Sequence, residues 1–159
     1  MLLAVLTVSD RCSRGEAQDT AGPAVVALLH QAWPGAEIQT ALVADEPEDI
    51  GERLIDWTTR NASLVLTVGG TGLGPRDKTP EATQRVLHRE APGIAEAMRA
   101  SGASKNPMAW LSRGVAGTRD NTLIVNLPGS LRGAQESLAA ILSLLKHGME
   151  TIAGTERHS

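Results

Sequence analysis

Residues 63–82 read SLVLTVGGTGLGPRDKTPEA, and this stretch decides the fold class. Residues 63–68 are a short apolar run with β-branched members, as expected of a strand covered on both faces. Gly69, Gly70, Gly72 and Gly74 then interrupt it. Thr79-Pro80-Glu81 follows with a capping residue, a proline at the first helical position and an acid in the first turn. A helix to about Glu90 is predicted. Strand, glycine loop and helix in succession form the repeating unit of an α/β protein.

The unit recurs on the N-terminal side. Residues 2–8 (LLAVLTV) suit a buried strand, and residues 9–22 form a long polar loop of the kind that is often functional. Asp19 or Thr20 can cap the next helix, in which Val25, Leu28, Leu29, Ala32 and Trp33 share a face until Pro34-Gly35 stops it. Residues 36–43 suit a second strand, and Glu46-Pro47 opens a helix whose apolar face is Ile50, Leu54 and Trp57.

On the C-terminal side, Pro92-Gly93 precedes a short helix over Ile94–Ala100, and Asn106-Pro107 starts a further helical turn. Gly114–Gly117 and Thr122–Leu127 read as strands flanking a turn over residues 118–121. The last helix, about 132–148, carries Leu138, Ile141, Leu142, Leu145 and Met149, and a frayed tail is expected from about residue 150. The prediction is one domain over residues 1–159, of α/β class, with a mostly parallel sheet and helices on both faces. Ligands in such folds sit beyond the C-terminal ends of the strands. Four polar segments belong to that edge: Ser9–Arg14, Ala44–Glu46, Gly69–Asp77 and Asn126–Ser130.

Composition narrows the function. Fifteen Lys and Arg stand against eighteen Asp and Glu, a net charge of −3, with neither Phe nor Tyr in the chain. No basic block or aromatic platform points to nucleic acid. The opening MLLAVLTVSDR lacks a basic region and a cleavage site, so it reads as a strand rather than a leader or membrane span. Cys12 is the one cysteine, which excludes an internal disulfide. A cytoplasmic protein without nucleic-acid or membrane partners is expected. His30, His88 and His147 fall on predicted helices and His158 in the tail, a scatter that suggests no catalytic histidine.

The glycine loop fits neither standard phosphate motif. No lysine follows the glycines at P-loop spacing, and counting Gly-x-Gly-x-x-Gly from Gly70 places Pro75 at the third glycine. The physics of an anion cradle nonetheless holds: glycines bring backbone N–H groups close, Thr71 adds a hydroxyl, and Arg76 a planar cationic fork. Asp77 does not belong beside an anion unless a cation mediates. Mg²⁺ takes one or two carboxylates together with substrate phosphate oxygens, and Asp45 is the natural second carboxylate. The alternative reading is that Asp77 caps its helix or pairs with Arg76, while Asp45 caps its own helix.

TVSDR at the first strand, the acidic loop at Asp45, GGTG with PRDKTPEAT, LSRG at 111–114 and NLPGS at 126–130 together resemble the molybdenum-cofactor biosynthesis family of Mog/MoaB type. The resemblance spans nearly the whole chain. It implies a three-layer α/β/α sandwich, commonly a homotrimer, acting as a molybdopterin adenylyltransferase. Such an enzyme transfers AMP from ATP to molybdopterin with Mg²⁺, releases pyrophosphate, and prepares the pterin for a downstream molybdenum-insertion enzyme. Carried over residue by residue, the functional aspartates match Asp45 and Asp77. Gly69, Gly70, Thr71 and Gly72 match the phosphate-holding segment, with Arg76 beside it. Pro128, Gly129 and Ser130 match a loop on the pterin side, and Ser112 and Arg113 a segment near the pterin phosphate. Lys78 stands where an aliphatic residue is often found and is expected to point outward.

The implied reaction is in-line attack of the pterin's terminal phosphate on the α-phosphorus of ATP. A phosphate nucleophile is already deprotonated near neutral pH, so positioning and charge neutralisation dominate. The rival reading within the family is a module that binds molybdopterin without adenylylating it. Pro107–Leu111 is the candidate segment for covering a neighbouring subunit, and Trp33, Trp57 and Trp110 are assigned to core or interface.

Overall fold

The computed structural model describes residues 1–155. Six strands form one sheet in the order β2-β1-β3-β6-β5-β4. They are β1 (Leu2–Val8), β2 (Glu37–Val43), β3 (Leu64–Val68), β4 (Arg89–Glu90), β5 (Ala116–Arg119) and β6 (Thr122–Leu127). The first four in that order run parallel, with Leu3 level with Ile38 and Leu64, and Leu66 level with Val125. β5 and β4 close one edge antiparallel. The mixed α/β architecture expected from the alternation of strands and helices is therefore present.

Strand periodicity sorts the apolar side chains onto two faces. Leu3, Val5, Leu64, Leu66, Val125 and Leu127 face one layer, packed under α2 (Ala21–Ala32), α5 (Pro92–Ala103) and α6 (Leu131–Ala153). Ala4, Leu6, Val65 and Ile124 face the other, under α3 (Pro47–Thr59) and α4 (Thr79–Val86). Trp57 fills the second layer, is 1% exposed, and donates its indole N–H to Gln39 at 3.0 Å. With Phe and Tyr absent, aliphatic side chains carry the remaining core, and truncating a fully buried one such as Leu66 to Ala costs about 2–5 kcal/mol.

Several elements differ from the sequence reading. The loop after β1 contains a helical turn, α1 (Asp10–Ser13), whose cap is the Ser9 hydroxyl accepting from the Cys12 N–H at 3.1 Å. α4 ends at Val86 instead of continuing to Glu90, because Leu87 turns extended and Arg89-Glu90 pair with Gly117 and Thr118. The cap of α4 falls on Lys78, so Thr79 is the first helical residue and Pro80 the second, and the threonine hydroxyl is free for another bond. α5 runs from Pro92 to Ala103, longer than expected at both ends. β5 sits two residues later than its expected start, leaving a tight Asp120-Asn121 turn with Asp120 at φ 49°. α6 continues past 148 to Ala153, where Gly154 at φ 70° caps it. The tail expected to fray lies in part, at residues 156–159, outside the described residues. Among the described residues no helix is long and apolar enough to cross a membrane.

Candidate functional site

β1, β2, β3 and β6 deliver their C-terminal ends to one edge, and two adjoining clefts lie there. The glycine loop opens the first. Gly69 and Gly70 have φ values of 105° and 70°, a region that a side chain rarely adopts. The Gly69 N–H bonds the Leu127 carbonyl at 3.1 Å, tying the loop to β6. The Thr79 hydroxyl donates to the Gly69 carbonyl at 2.9 Å, and the Thr79 N–H to the Gly70 carbonyl at 3.1 Å. Both carbonyls are thereby held against the start of α4. A Cβ on Gly70 would strike the Thr79 hydroxyl and stand 3.0 Å from Asp45 Oδ1.

Four aspartates line this cleft and are treated differently; Asp19 is occupied by the Thr7 hydroxyl and the Gly22 N–H at 2.7 and 2.9 Å. Asp10 and Asp45 exchange backbone-to-carboxylate bonds across 35 residues: Asp10 N–H to Asp45 Oδ2 at 2.9 Å, and Asp45 N–H to Asp10 Oδ1 at 3.0 Å. Arg76 then grips Asp10 with Nε and Nη2 at 3.0 and 3.1 Å, and reaches Glu46 with Nη2 at 2.7 Å. That guanidinium pulls the Asp10 carboxyl down to about 2. Asp45 is 8% exposed, and burial pushes its carboxyl above the ordinary carboxylate value, aided by the nearby charges of Asp10 and Asp77. Its Oδ1 is buried and has no hydrogen-bond partner. Asp77 lines the same cleft, with Oδ2 accepting the Gly74 N–H at 2.9 Å.

The second cleft, a cavity of about 510 Å³, opens between α5, the 3₁₀ turn over Pro107–Leu111, and the start of α6. Ser112, Pro128 and Ser130 line it, together with Arg99, Asn126 and Ser137. Ser130 caps α6 by accepting the Gly133 N–H at 3.0 Å. Asn126, 1% exposed, forms part of the cavity wall and donates to Thr67 and Thr83 at 2.9 and 3.0 Å. The loop after β6 serves both clefts: Pro128 and Ser130 line the cavity, whereas Gly129 lines the acidic cleft. A Cβ on Gly129 would stand 3.1 Å from the Cα of Gly69, so the two loops touch through bare backbone.

Of the sequence-selected residues, Asp45, Asp77, Gly69, Gly70 and Gly129 converge on the acidic cleft, and Ser112, Pro128 and Ser130 on the cavity. Arg76 spends Nε and Nη2 on Asp10 and Glu46. Thr71 is buried, and its carbonyl accepts the Arg113 N–H at 2.8 Å. Arg113 braces the glycine loop: it holds Glu81 with two bonds of 2.9 and 2.8 Å, the Gly72 carbonyl at 2.8 Å and the Asp77 carbonyl at 2.8 Å. Lys78 is exposed, as expected. Asp10 and Asn126 fall within the edge segments Ser9–Arg14 and Asn126–Ser130 expected from the sequence but were given no individual role, and Arg99 lay outside all four segments. Neither cleft is lined by a histidine among the described residues.

The metal expectation can be tested on the donor set. Among the described residues no group of three or more His, Cys, Asp or Glu side chains could hold an ion. Two carboxylates on one cleft, one with a buried orphan oxygen, suit a cation that takes its other ligands from substrate phosphates and water.

Residues 4–147 match the family model described as "Probable molybdopterin binding domain". A molybdopterin adenylyltransferase from Helicobacter pylori (strain J99) is 38% identical, over 96% of this chain and 88% of its own length. Gephyrin from Dictyostelium discoideum is also 38% identical over 99% of this chain, which corresponds to 23% of gephyrin. The crystal structure of the molybdopterin biosynthesis enzyme MoaB from Thermus thermophilus is 50% identical, covers 96% of both chains and superposes with a TM-score of 0.87. The chain spans from about a quarter to about half the length of the longer curated relatives it matches. By the extent of these matches and by the shared sheet that carries the two clefts, the chain belongs to the molybdopterin-binding domain family of molybdenum-cofactor biosynthesis.

Proposed function

We propose that this protein is a molybdopterin adenylyltransferase, which transfers AMP from ATP to molybdopterin and releases pyrophosphate. The carrying observation is the meeting of two unlike clefts at the loop after β6, where Gly129 lines one and Pro128 and Ser130 the other. One is acidic and glycine-lined, and the other is a cavity whose apolar and hydroxyl walls also carry Arg99, Lys105, Arg132 and Glu136. A substrate pair joined through phosphate needs both environments side by side. The names of relatives such as the Helicobacter pylori and Escherichia coli adenylyltransferases support the same assignment.

In this reading the cavity holds the pterin, and the Gly69–Gly70 turn with the start of α4 receives the ATP phosphates. The terminal phosphate of molybdopterin attacks the α-phosphorus. The bond to the bridging oxygen breaks, and the electron pair leaves with pyrophosphate. No side chain need remove a proton, because the attacking oxygen is already anionic. Asp45 and Asp77 are the residues that would hold Mg²⁺. When bound, the ion offsets charge on the phosphates. The chain's own contribution is orientation: Thr79 fixes the glycine turn, Arg113 fixes Asp77 through its carbonyl, and Ser130 orders the entrance of α6 beside the cavity.

We also place the protein in the cytoplasm as a homotrimer that hands its product to a molybdenum-insertion enzyme. Met108, Trp110 and Leu111 are 62%, 59% and 51% exposed, a patch suited to a neighbouring subunit. Light scattering giving a stable monomer would remove the trimer. Incubation with molybdopterin and α-labelled ATP tests the activity itself: labelled AMP on the pterin with equimolar pyrophosphate is expected. Molybdopterin binding without pyrophosphate would replace the enzyme reading with that of a binding module.

A further inference from the structure

Asp10, one of four aspartates lining the cleft, explains itself by what it already holds. Both of its oxygens are committed, Oδ1 to the Asp45 N–H and to Arg76, and Oδ2 to Arg76. It therefore has little left to offer a ligand. Asp45 shows the converse: Oδ2 is tied to the Asp10 N–H, and Oδ1, buried and unpartnered, is directed at the Gly70 backbone. An aspartate held by one oxygen from a neighbouring backbone N–H cannot rotate freely about χ2. Its other oxygen stays at one place in the cleft.

We infer that Asp10 is a positioning residue: with Arg76 as its anchor, it holds Asp45 so that Oδ1 faces the glycine turn. This rests on the adenylyltransferase reading for its purpose, though not for its geometry. The anchor joins three of the four edge segments. Asp10 follows β1, Asp45 and Glu46 follow β2, and Arg76 comes from the loop after β3. With Asp10 committed to Arg76, the buried carboxylate oxygen left without a partner in the cleft is Asp45 Oδ1. Outer partners of this kind commonly change metal affinity by roughly 10–100-fold when removed.

The test has a metal-free arm and a metal arm, both on the full chain. In Asp10→Ala, amide hydrogen exchange at position 10 reports whether the Asp45 carboxylate stays docked on that N–H. We expect exchange there to accelerate at least tenfold, and by more than at the β1 and β3 amides that report global unfolding. Unaltered protection overturns the inference. In the second arm, Mn²⁺ affinity is read by electron paramagnetic resonance in the presence of α,β-methylene ATP. Asp10→Ala is expected to weaken it about tenfold in the wild-type background and less than twofold in an Asp45→Asn background. Equal weakening in both backgrounds, or none in either, overturns the inference, since a residue acting only on general stability would not depend on Asp45. If Asp10→Ala fails to fold, Arg76→Lys takes its place, keeping the charge and losing the fork. Several-fold weaker Mn²⁺ affinity that vanishes with Asp45→Asn supports the inference, and wild-type affinity overturns it. Should the wild-type chain not bind Mn²⁺ with the analogue at all, the nucleotide reading fails, and the exchange result alone decides the role of Asp10.

Discussion

Arg113 and Glu81, 32 residues apart, are joined by two hydrogen bonds of 2.9 and 2.8 Å, and the same guanidinium holds the carbonyls of Gly72 and Asp77. One side chain thus fixes the far half of the glycine loop to the first turn of α4. The pairing holds Glu81 below its ordinary value through the hydrogen bond from Arg113. Arg113→Ala removes a charged donor from two loop carbonyls, and bonds to charged groups contribute about 1.5–3 kcal/mol each when buried, less at this partly exposed site. A loss of about 1–3 kcal/mol in urea unfolding is expected, with Arg113→Lys recovering little because an ammonium cannot span the three acceptors. Full recovery by lysine would show that charge alone matters here.

The glycine turn makes a second demand on the backbone. Gly69 lies at φ 105°, and a Cβ there would strike the Val8 carbonyl. Gly69→Ala combines strain with collision, so a stability loss of about 1–3 kcal/mol is expected. Gly70→Ala should behave differently. Besides its strain, the added methyl stands 3.0 Å from Asp45 Oδ1 and blocks that oxygen. AMP transfer should therefore fall by more than the loss of folded protein explains. Proportional losses of activity and folded fraction in Gly70→Ala would contradict this.

The acids give the fold an uneven pH response. Asp10 titrates at about 2 instead of 3.8, so its contribution to stability is complete above 3.8 and is lost as pH falls towards 2. Asp45 is shifted upward, chiefly by burial, so its charge opposes folding at neutral pH, and that penalty lifts as pH falls through its raised pKa. Asp45→Asn should be more stable than the wild type at pH 7, with the gap closing towards pH 4. Denaturant unfolding across that range measures it, and a constant gap would mean Asp45 carries no extra charge penalty. Because Asp45 must be ionised to hold a cation, the acid limb of AMP transfer should lie above the ordinary carboxylate range.

What could be read from the sequence follows what is local. The alternation of buried runs and amphipathic helices, the proline and glycine punctuation and the glycine loop all act within a few residues, and they place five strands and five α-helices near their observed positions. Arg89-Glu90 could not be read as a strand, because its pairing with Thr118 and Gly117 is made by distant residues. The same limit governs the site. Asp77 stands out as an acid in the glycine loop and Asp45 as the acid after the neighbouring strand, whereas the commitment of Arg76 to Asp10 is a contact across 66 residues that no spacing rule anticipates. Arg113 came only from the resemblance, as part of a segment near the pterin phosphate. Its bracing of Gly72, Asp77 and Glu81 is made across 41, 36 and 32 residues, beyond the reach of local patterning.

The division of labour between the clefts can be tested at Ser137, which is 9% exposed on the wall of the 510 Å³ cavity and comes from the second turn of α6. Ser137→Leu keeps a good helix former in place and projects a larger apolar side chain into open space instead of into packed core. The fold should tolerate it, with melting changed by only a few degrees. If the cavity holds the pterin, molybdopterin affinity should fall at least tenfold while nucleotide affinity stays within twofold, because Ser137 lines the cavity and not the acidic cleft. Equilibrium titration of each ligand separately measures both numbers. Equal losses for the two ligands would mean that nucleotide also occupies the cavity, and the assignment of phosphates to the glycine turn would have to move with it.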